Sequence, residues 1–177
     1  MSLPQKVKSR RSSNRSLSAS QYITEIESRI GDAWLSRIYR DRILKMRTRS
    51  YQFPTVSRNS PVEIHHTLLG IELKAGRRRM LCPDLATARY LAVFARLGCQ
   101  QIAIPYDITK ISRVADDLER SWHCMLLLAD EFAAAKNPAF RTRLRHQLIG
   151  KVRNEIAEAG AGTRVPEFNR STKQRSL

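Results

Sequence analysis

The chain is short of acids, aromatics and cysteines, and each shortage removes a class of protein. Sixteen Asp and Glu stand against thirty-two Lys and Arg, a formal net charge of +16 over 177 residues. A molecule so unbalanced repels itself unless a polyanion lies beside it, so nucleic acid is the first partner to consider. The twelve aromatics fall mostly at core spacings. That leaves no aromatic-rich strand of the kind on which unpaired bases stack. Cys82, Cys99 and Cys124 make an odd set, and the N-terminal residues carry no hydrophobic secretion core. This argues for a reducing compartment over a disulfide scaffold. Cys82 and Cys99 flank a predicted helix of about 15 residues, roughly 20 Å apart and beyond disulfide reach. All three thiols are expected to be buried small hydrophobes.

No apolar run approaches the ~18 residues of a membrane span, and the longest is Met125–Ala129. There is no CxxC, HExxH or GxSxG motif, and Gly150-Lys151 lacks the glycine-rich loop of a phosphate-binding P-loop. His65 and His66 point to opposite faces of a strand, and His123-Cys124 has no zinc spacing. Neither a metal centre nor a cofactor is expected, and no membrane partner. The chain reads as soluble and cytoplasmic.

What the chain has is arginine, twenty-four of the thirty-two cations. Residues 1–20 hold five basic side chains, seven serines and no acid. Residues 138–177 hold nine basic residues against three acids, whereas 110–137 has five acids against four bases. The N-terminal composition fits a basic arm lying on nucleic acid or an organelle transit peptide. The arm is favoured because no amphipathic face precedes Tyr22. Residues 1–19 are expected to be a disordered basic arm, 20–160 a single domain and 161–177 a disordered basic tail.

Periodicity outlines the domain. A helix is predicted from about Gln21 to Arg49, with Ile23, Ile26, Ile30 and Trp34 on one face and a shift to Leu35, Ile38, Tyr39 and Met46 near Gly31. Arg29, Arg40 and Arg47 then share a solvent-facing side. Residues 50–61 read as a linker rich in turn formers. Val62 to Leu73 alternates as a strand whose phase flips at Gly70, the mark of a bulge, and Lys74-Ala75-Gly76 turns it into a return strand ending at Cys82. Pro83 and Asp84 open a helix, either as a proline at the first helical position or as an Asp cap; it stops at Gly98, and Gln101–Ile104 is a strand. Strand, helix, strand at this length predicts a crossover joining parallel strands. Asp107 caps a helix with the stripe Ile111, Ala115, Leu118, Trp122, Met125, Ala129 and Phe132. Asn137-Pro138 opens the last helix, buried through Phe140, Leu144, Leu148, Val152 and Ile156. The fold class is α+β: a small sheet of a β-hairpin and one further strand with a βαβ-like crossover helix, packed with longer N- and C-terminal helices.

The candidate nucleic-acid contacts are Arg10, Arg11, Arg40, Arg47, Arg77, Arg78, Arg79, Arg143 and Arg153. Arg77-Arg78-Arg79 sits at a hairpin turn, where guanidinium groups can bind phosphates bidentately. Charge protecting an edge strand from aggregation is the plainer reading of the same residues. With neither a stacking platform nor a helix-turn-helix, backbone or shape recognition is expected, with RNA favoured over DNA because Arg-rich disordered segments fold on structured RNA.

Two alternatives stand beside this binder. Glu72 and Lys74 form a Glu-x-Lys on a strand, followed by a helix and a strand, so residues 62–104 loosely resemble the PD-(D/E)xK nucleases. That resemblance implies Glu72 as a metal ligand, Lys74 beside the attacking water and Glu63 as the nearest second acid. The other alternative is a scaffold or assembly factor, docking on a protein or ribonucleoprotein through the acid-leaning helix 110–135. If phosphate contacts dominate, affinity for nucleic acid falls steeply with salt, with a log–log slope of about −0.7 to −0.9 per phosphate neutralised. A titration of affinity against salt checks this, and a flat response would make the charge incidental.

Overall fold

The structure is a computed structural model that describes residues 18–54 and 61–162. Arg10 and Arg11 lie outside these residues, as do nearly all of the expected arm and tail. Helix α1, Ala19–Ile30, starts two residues before the expected Gln21 because Ser18 and Gln21 close a capping box. The Ser18 hydroxyl accepts from the Gln21 N–H at 3.3 Å, and the Gln21 side chain accepts from the Ser18 N–H at 2.7 Å.

The single long helix expected to Arg49 is broken. Gly31 ends α1, a 3₁₀ turn spans Gly31–Ala33, and α2, Leu35–Ile38, runs on into a π-helical turn at Tyr39–Ile43. This double break is the physical cause of the shift in the apolar stripe. It also separates the arginines that one continuous helix would align. Arg29 pairs with Glu131 at 3.6 Å, Arg40 pairs with its neighbour Asp41 at 3.1 Å, and Arg47 lies over the Tyr106 ring at 5.1 Å.

Five residues assigned to the helix end and linker form a strand instead. Strand β1, Thr48–Gln52, pairs antiparallel with β5, Gln101–Pro105. The expected parallel crossover is therefore replaced by a separate two-stranded sheet. Thr48, Arg49, Ser50, Tyr51 and Gln52 carry almost no apolar alternation, so only the pairing with β5 makes them a strand. The apparent bulge at Gly70 is a chain reversal. Strand β2, Val62–Thr67, and β3, Gly70–Ala75, form a hairpin closed by Leu68-Leu69. Thr67 stitches that turn, its hydroxyl accepting from the Leu69 N–H at 3.3 Å and donating to the Gly70 carbonyl at 3.0 Å. Gly70 takes φ 123°, which a side chain resists. The next turn is Gly76-Arg77, after which β4, Arg78–Cys82, completes a three-stranded meander. The Tyr51 hydroxyl meets the Met80 sulfur at 3.4 Å and joins the two sheets.

Helix α3, Leu85–Leu97, is the centre of the core, with Ala88, Tyr90, Leu91, Ala92, Val93, Phe94 and Leu97 all buried. The meander packs on one side of it and α4, Ile108–Phe132, on another. Helix α5, Pro138–Ala159, buries Leu144, Leu148, Val152 and Ile156. The caps Asp84, Asp107 and Asn137 each accept a backbone N–H as expected. Cys82 and Cys99 are buried, but Cys124 is exposed, on the outer side of α4 beside His123. Among the described residues no helix is long and apolar enough to cross a membrane.

Strand β5 is buried along Ile102–Pro105 yet among the described residues has β1 as its one strand neighbour. The backbone groups of Ala103 on its other edge need partners, and two tyrosines supply them. The Ala103 N–H donates to the Tyr39 hydroxyl at 2.9 Å, and that hydroxyl donates to the Gly160 carbonyl at 2.6 Å. The Tyr90 hydroxyl donates to the Ala103 carbonyl at 2.6 Å. Burial pushes the Tyr39 phenol up to about 12 and Tyr90 well above the usual phenol value, so both remain protonated donors. Tyr39→Phe strands a buried N–H and a carbonyl and is expected to cost about 1–3 kcal/mol. Tyr90→Phe strands one carbonyl and is expected to cost less. Urea denaturation of the two variants measures the difference.

Candidate nucleic-acid interface

The hairpin turn places the arginine triplet on two sides and one corner of the meander. Arg77 is in the turn itself, so it does not share a face with Arg79. Arg78 lies opposite Ala75, and Arg79 lies opposite Lys74. All three arginines are exposed. Among the described residues neither Arg77 nor Arg78 has a carboxylate within ion-pairing distance, whereas Arg79 meets Glu72 at 3.8 Å.

The outer face of the meander is balanced in charge. Lys74 and Arg79, like charges directly opposite, would repel. Glu63 across from Lys74 and Glu72 beside Arg79 offset that repulsion, and the Glu63–Lys74 distance is 3.3 Å. Glu63 also takes His65 at 3.0 Å. Hydrogen bonds from His65 and then Lys74 hold the Glu63 carboxyl below its ordinary value. The residues implied by the nuclease resemblance thus lie on one sheet face, each engaged by a neighbour of opposite charge. Among the described residues there is no cluster of three His, Cys, Asp or Glu side chains able to hold a metal ion.

The acids of α4 are engaged in the same way. Asp116 and Glu119 pair with Arg89 at 2.8 and 2.5 Å, and Asp117 pairs with Arg42 at 2.6 Å. Asp130 pairs with Arg145 on α5, and Glu131 with Arg29. The acidic lean of residues 110–135, which suggested a docking face, serves contacts to the rest of the chain.

The remaining candidates are dispersed. Arg40 lies within the π-helical turn and Arg47 just beyond its end. Arg143 lies near the start of α5, with its guanidinium 5.4 Å from the Phe140 ring centre, and lines a shallow hollow with Ser18, Lys136 and Asn137. Arg153 is ten residues further along α5, about 15 Å by helical rise. It lines a cleft of about 770 Å³ with Gln52, Phe53, Pro54, Gln100, Gln101 and Asn154. Among the described residues Arg143 and Arg153 have no carboxylate within ion-pairing distance. Cys99 also lines this cleft. Burial pushes its thiol up to about 12 although Arg153 pulls the other way, so the cleft offers no thiolate. The cleft was not visible in the sequence, because its walls come from β1, the α3–β5 corner and the end of α5.

A second group that the sequence reading missed is the network around Glu155. Its carboxylate accepts from the Trp34 indole at 2.8 Å and the Ser36 hydroxyl at 2.5 Å, and meets Lys151 at 3.4 Å. Lys151 also reaches Glu27 at 2.5 Å, and Glu27 takes Arg37 at 3.2 Å. The four-residue spacing of Lys151 and Glu155 was the one signal of this in the sequence. The network ties α1 and the Trp34–Ser36 segment to α5.

Fold and site define a basic α+β domain whose acids are largely paired internally, and among the described cations left without a carboxylate are Arg77 and Arg78 at a hairpin turn and Arg143 and Arg153 on α5. No known protein family, curated protein or solved structure matches the chain.

Burial raises the Glu155 carboxyl, but the hydrogen bonds from Ser36 and Trp34 and the Lys151 ammonium outweigh it, so it sits below its ordinary value of 4.5. A carboxyl more acidic in the folded than in the unfolded chain stabilises the fold fully above that ordinary value. The contribution is lost as pH falls through the folded value. Glu155→Gln is expected to cost about 1–3 kcal/mol at neutral pH, with the gap to wild type narrowing below pH 4.5. Urea melts across pH test this, and a gap independent of pH would refute the charged role.

Proposed function

We propose that this chain binds structured nucleic acid, RNA in preference to DNA, through phosphate contacts and without catalysis. The observation that carries the reading is the division of charge. The acids of α4 and of the meander face are held by cations of the same chain, while Arg77, Arg78, Arg143 and Arg153 have no carboxylate partner among the described residues. Ten of the thirty-two cations, against one of the sixteen acids, fall in the three segments 1–17, 55–60 and 163–177. Free arginine at a turn is suited to phosphate, which its planar fork meets bidentately. Among the described residues no strand presents a row of exposed aromatics to read unpaired bases along a single strand, so shape and backbone carry recognition. RNA is favoured because Arg-rich segments commonly fold onto structured RNA.

Changing Arg77, Arg78 and Arg79 together to Gln is expected to weaken RNA binding by a few kcal/mol at most, each charge-assisted bond being worth about 1.5–3 kcal/mol. Arg79 contributes least because Glu72 already holds it. Glu72→Gln is expected to leave binding unchanged or slightly tighter, since it releases Arg79. Fluorescence anisotropy at fixed salt measures both. Cleavage of the RNA with Mg²⁺ or Mn²⁺ that Glu72→Gln abolishes while sparing affinity would replace this reading with the nuclease.

A further inference from the structure

The Arg153 cleft has a composition of its own. It lies between the end of β1, the α3–β5 corner and the last turns of α5. Arg153 is the one charged side chain among its described lining residues. The polar walls are amides: Gln52 and Gln101, which face each other at the end of the β1–β5 ladder, together with Gln100 and Asn154. The guanidinium rests against two glycines, at van der Waals distance from where methyl groups on Gly98 and Gly150 would be, 3.7 and 3.8 Å.

Arg153 stands at the C-terminus of α3, where a cation commonly serves the last carbonyls of the helix. Two of those carbonyls already have partners. The Gly98 N–H bonds the Ala95 carbonyl and the Cys99 N–H bonds the Phe94 carbonyl, both at 3.0 Å. Among the described residues Arg153 donates to no carbonyl and meets no carboxylate. A half-buried guanidinium with neutral walls and no internal acceptor is suited to an anion from outside.

The surroundings narrow that anion. One cation matches a single phosphate, whereas a di- or triphosphate would call for several. Amide side chains present donors and acceptors together, which is the complement of a base edge. The volume lies within the 300–1,000 Å³ or so of small-ligand sites. Pro54 and Ala161 are among the lining residues, and the sequence runs on from them into 55–60, which has one arginine, and 163–177, which has four cations.

We propose that this cleft holds one unpaired nucleotide of a bound RNA, its phosphate on Arg153 and its base edge on the amides of Gln52, Gln101 and Asn154. This rests on the nucleic-acid reading above and adds to it a preference for RNA with an extruded nucleotide. The site makes shape recognition local: duplex phosphates bind the hairpin arginines, and the nucleotide that leaves the stack enters the cleft.

The test compares an RNA duplex with the same duplex carrying a single bulged nucleotide, by fluorescence anisotropy on the full chain. The expected result is at least about tenfold tighter binding of the bulged RNA, the size of one charge-assisted contact. Arg153→Gln is expected to remove that preference. Ala157→Trp, which fills the cleft from an exposed position on α5 and keeps the charge, is expected to do the same. Circular dichroism checks that each variant folds, and either folded variant alone decides the matter. Equal affinity of wild type for the two RNAs, or a preference that survives in a folded variant, overturns the cleft assignment alone. Failure of wild type to bind either RNA overturns the nucleic-acid reading and the cleft assignment with it.

Discussion

A buried strand with one strand neighbour is the constraint on which the rest of this fold depends. Strand β5 runs through the core, and the edge that faces away from β1 would leave backbone groups without water or partner. Two phenols close it at Ala103, and each comes from a different part of the chain. Tyr39 is the first residue of the π-helical turn. Tyr90 projects from the middle of α3. Tyr39 also holds the Gly160 carbonyl, so the same hydroxyl that caps the strand fixes the end of α5. Gly162 then passes so close to β1 that a methyl group there would come within 2.5 Å of the Thr48 hydroxyl. The break in the first long helix is therefore part of how the core is closed.

Charge is organised on a second principle. The chain has few acids and places most of them where two elements meet. Arg89 joins α3 to α4, Arg145 joins α5 to α4, and Arg42 joins the π-helical turn to α4. Glu155 and Glu27 gather Trp34, Ser36, Arg37 and Lys151 where α1, α2 and α5 converge. At exposed positions such pairs are each worth little. Their effect on function is nevertheless direct, because every acid engaged inside the chain is one that does not neutralise an arginine at the periphery. Among the described residues the cations left without a carboxylate include Arg77 and Arg78 at the hairpin turn and Arg143 and Arg153 on α5, with others such as Arg49, Arg96 and Arg113 on β1, α3 and α4.

These two principles meet at the end of α5. The tyrosine that closes β5 also positions the last turn of that helix, and the last turns of that helix form one wall of the Arg153 cleft. The opposite wall is the end of the ladder that the tyrosines complete. Core closure and cleft shape thus depend on the same few contacts, which makes the cleft a pre-formed feature of the domain and not a surface accident.

Much of the chain could be read locally. The helices from 85 to 159, their caps at Asp84, Asp107 and Asn137, and the buried stripes of α4 and α5 follow from spacing alone, because a helix satisfies its backbone internally and needs one apolar face. The class, α+β, and the dominance of arginine were equally plain. What the sequence could not reveal was set by partners distant along the chain. Thr48–Gln52 is a strand because β5 lies beside it, not because of its own residues. Gly70 marks a reversal because β2 and β3 pair, and a phase flip alone does not tell a bulge from a turn. Glu72 and Lys74 are a Glu-x-Lys in the sequence, but that Glu63, His65 and Arg79 lie around them is set only by the strand register. The net charge of +16 was determined by the sequence. Which of those charges remain free was decided by the tertiary structure, because an ion pair is a matter of distance, and distance between residues far apart in the chain exists only once it has folded.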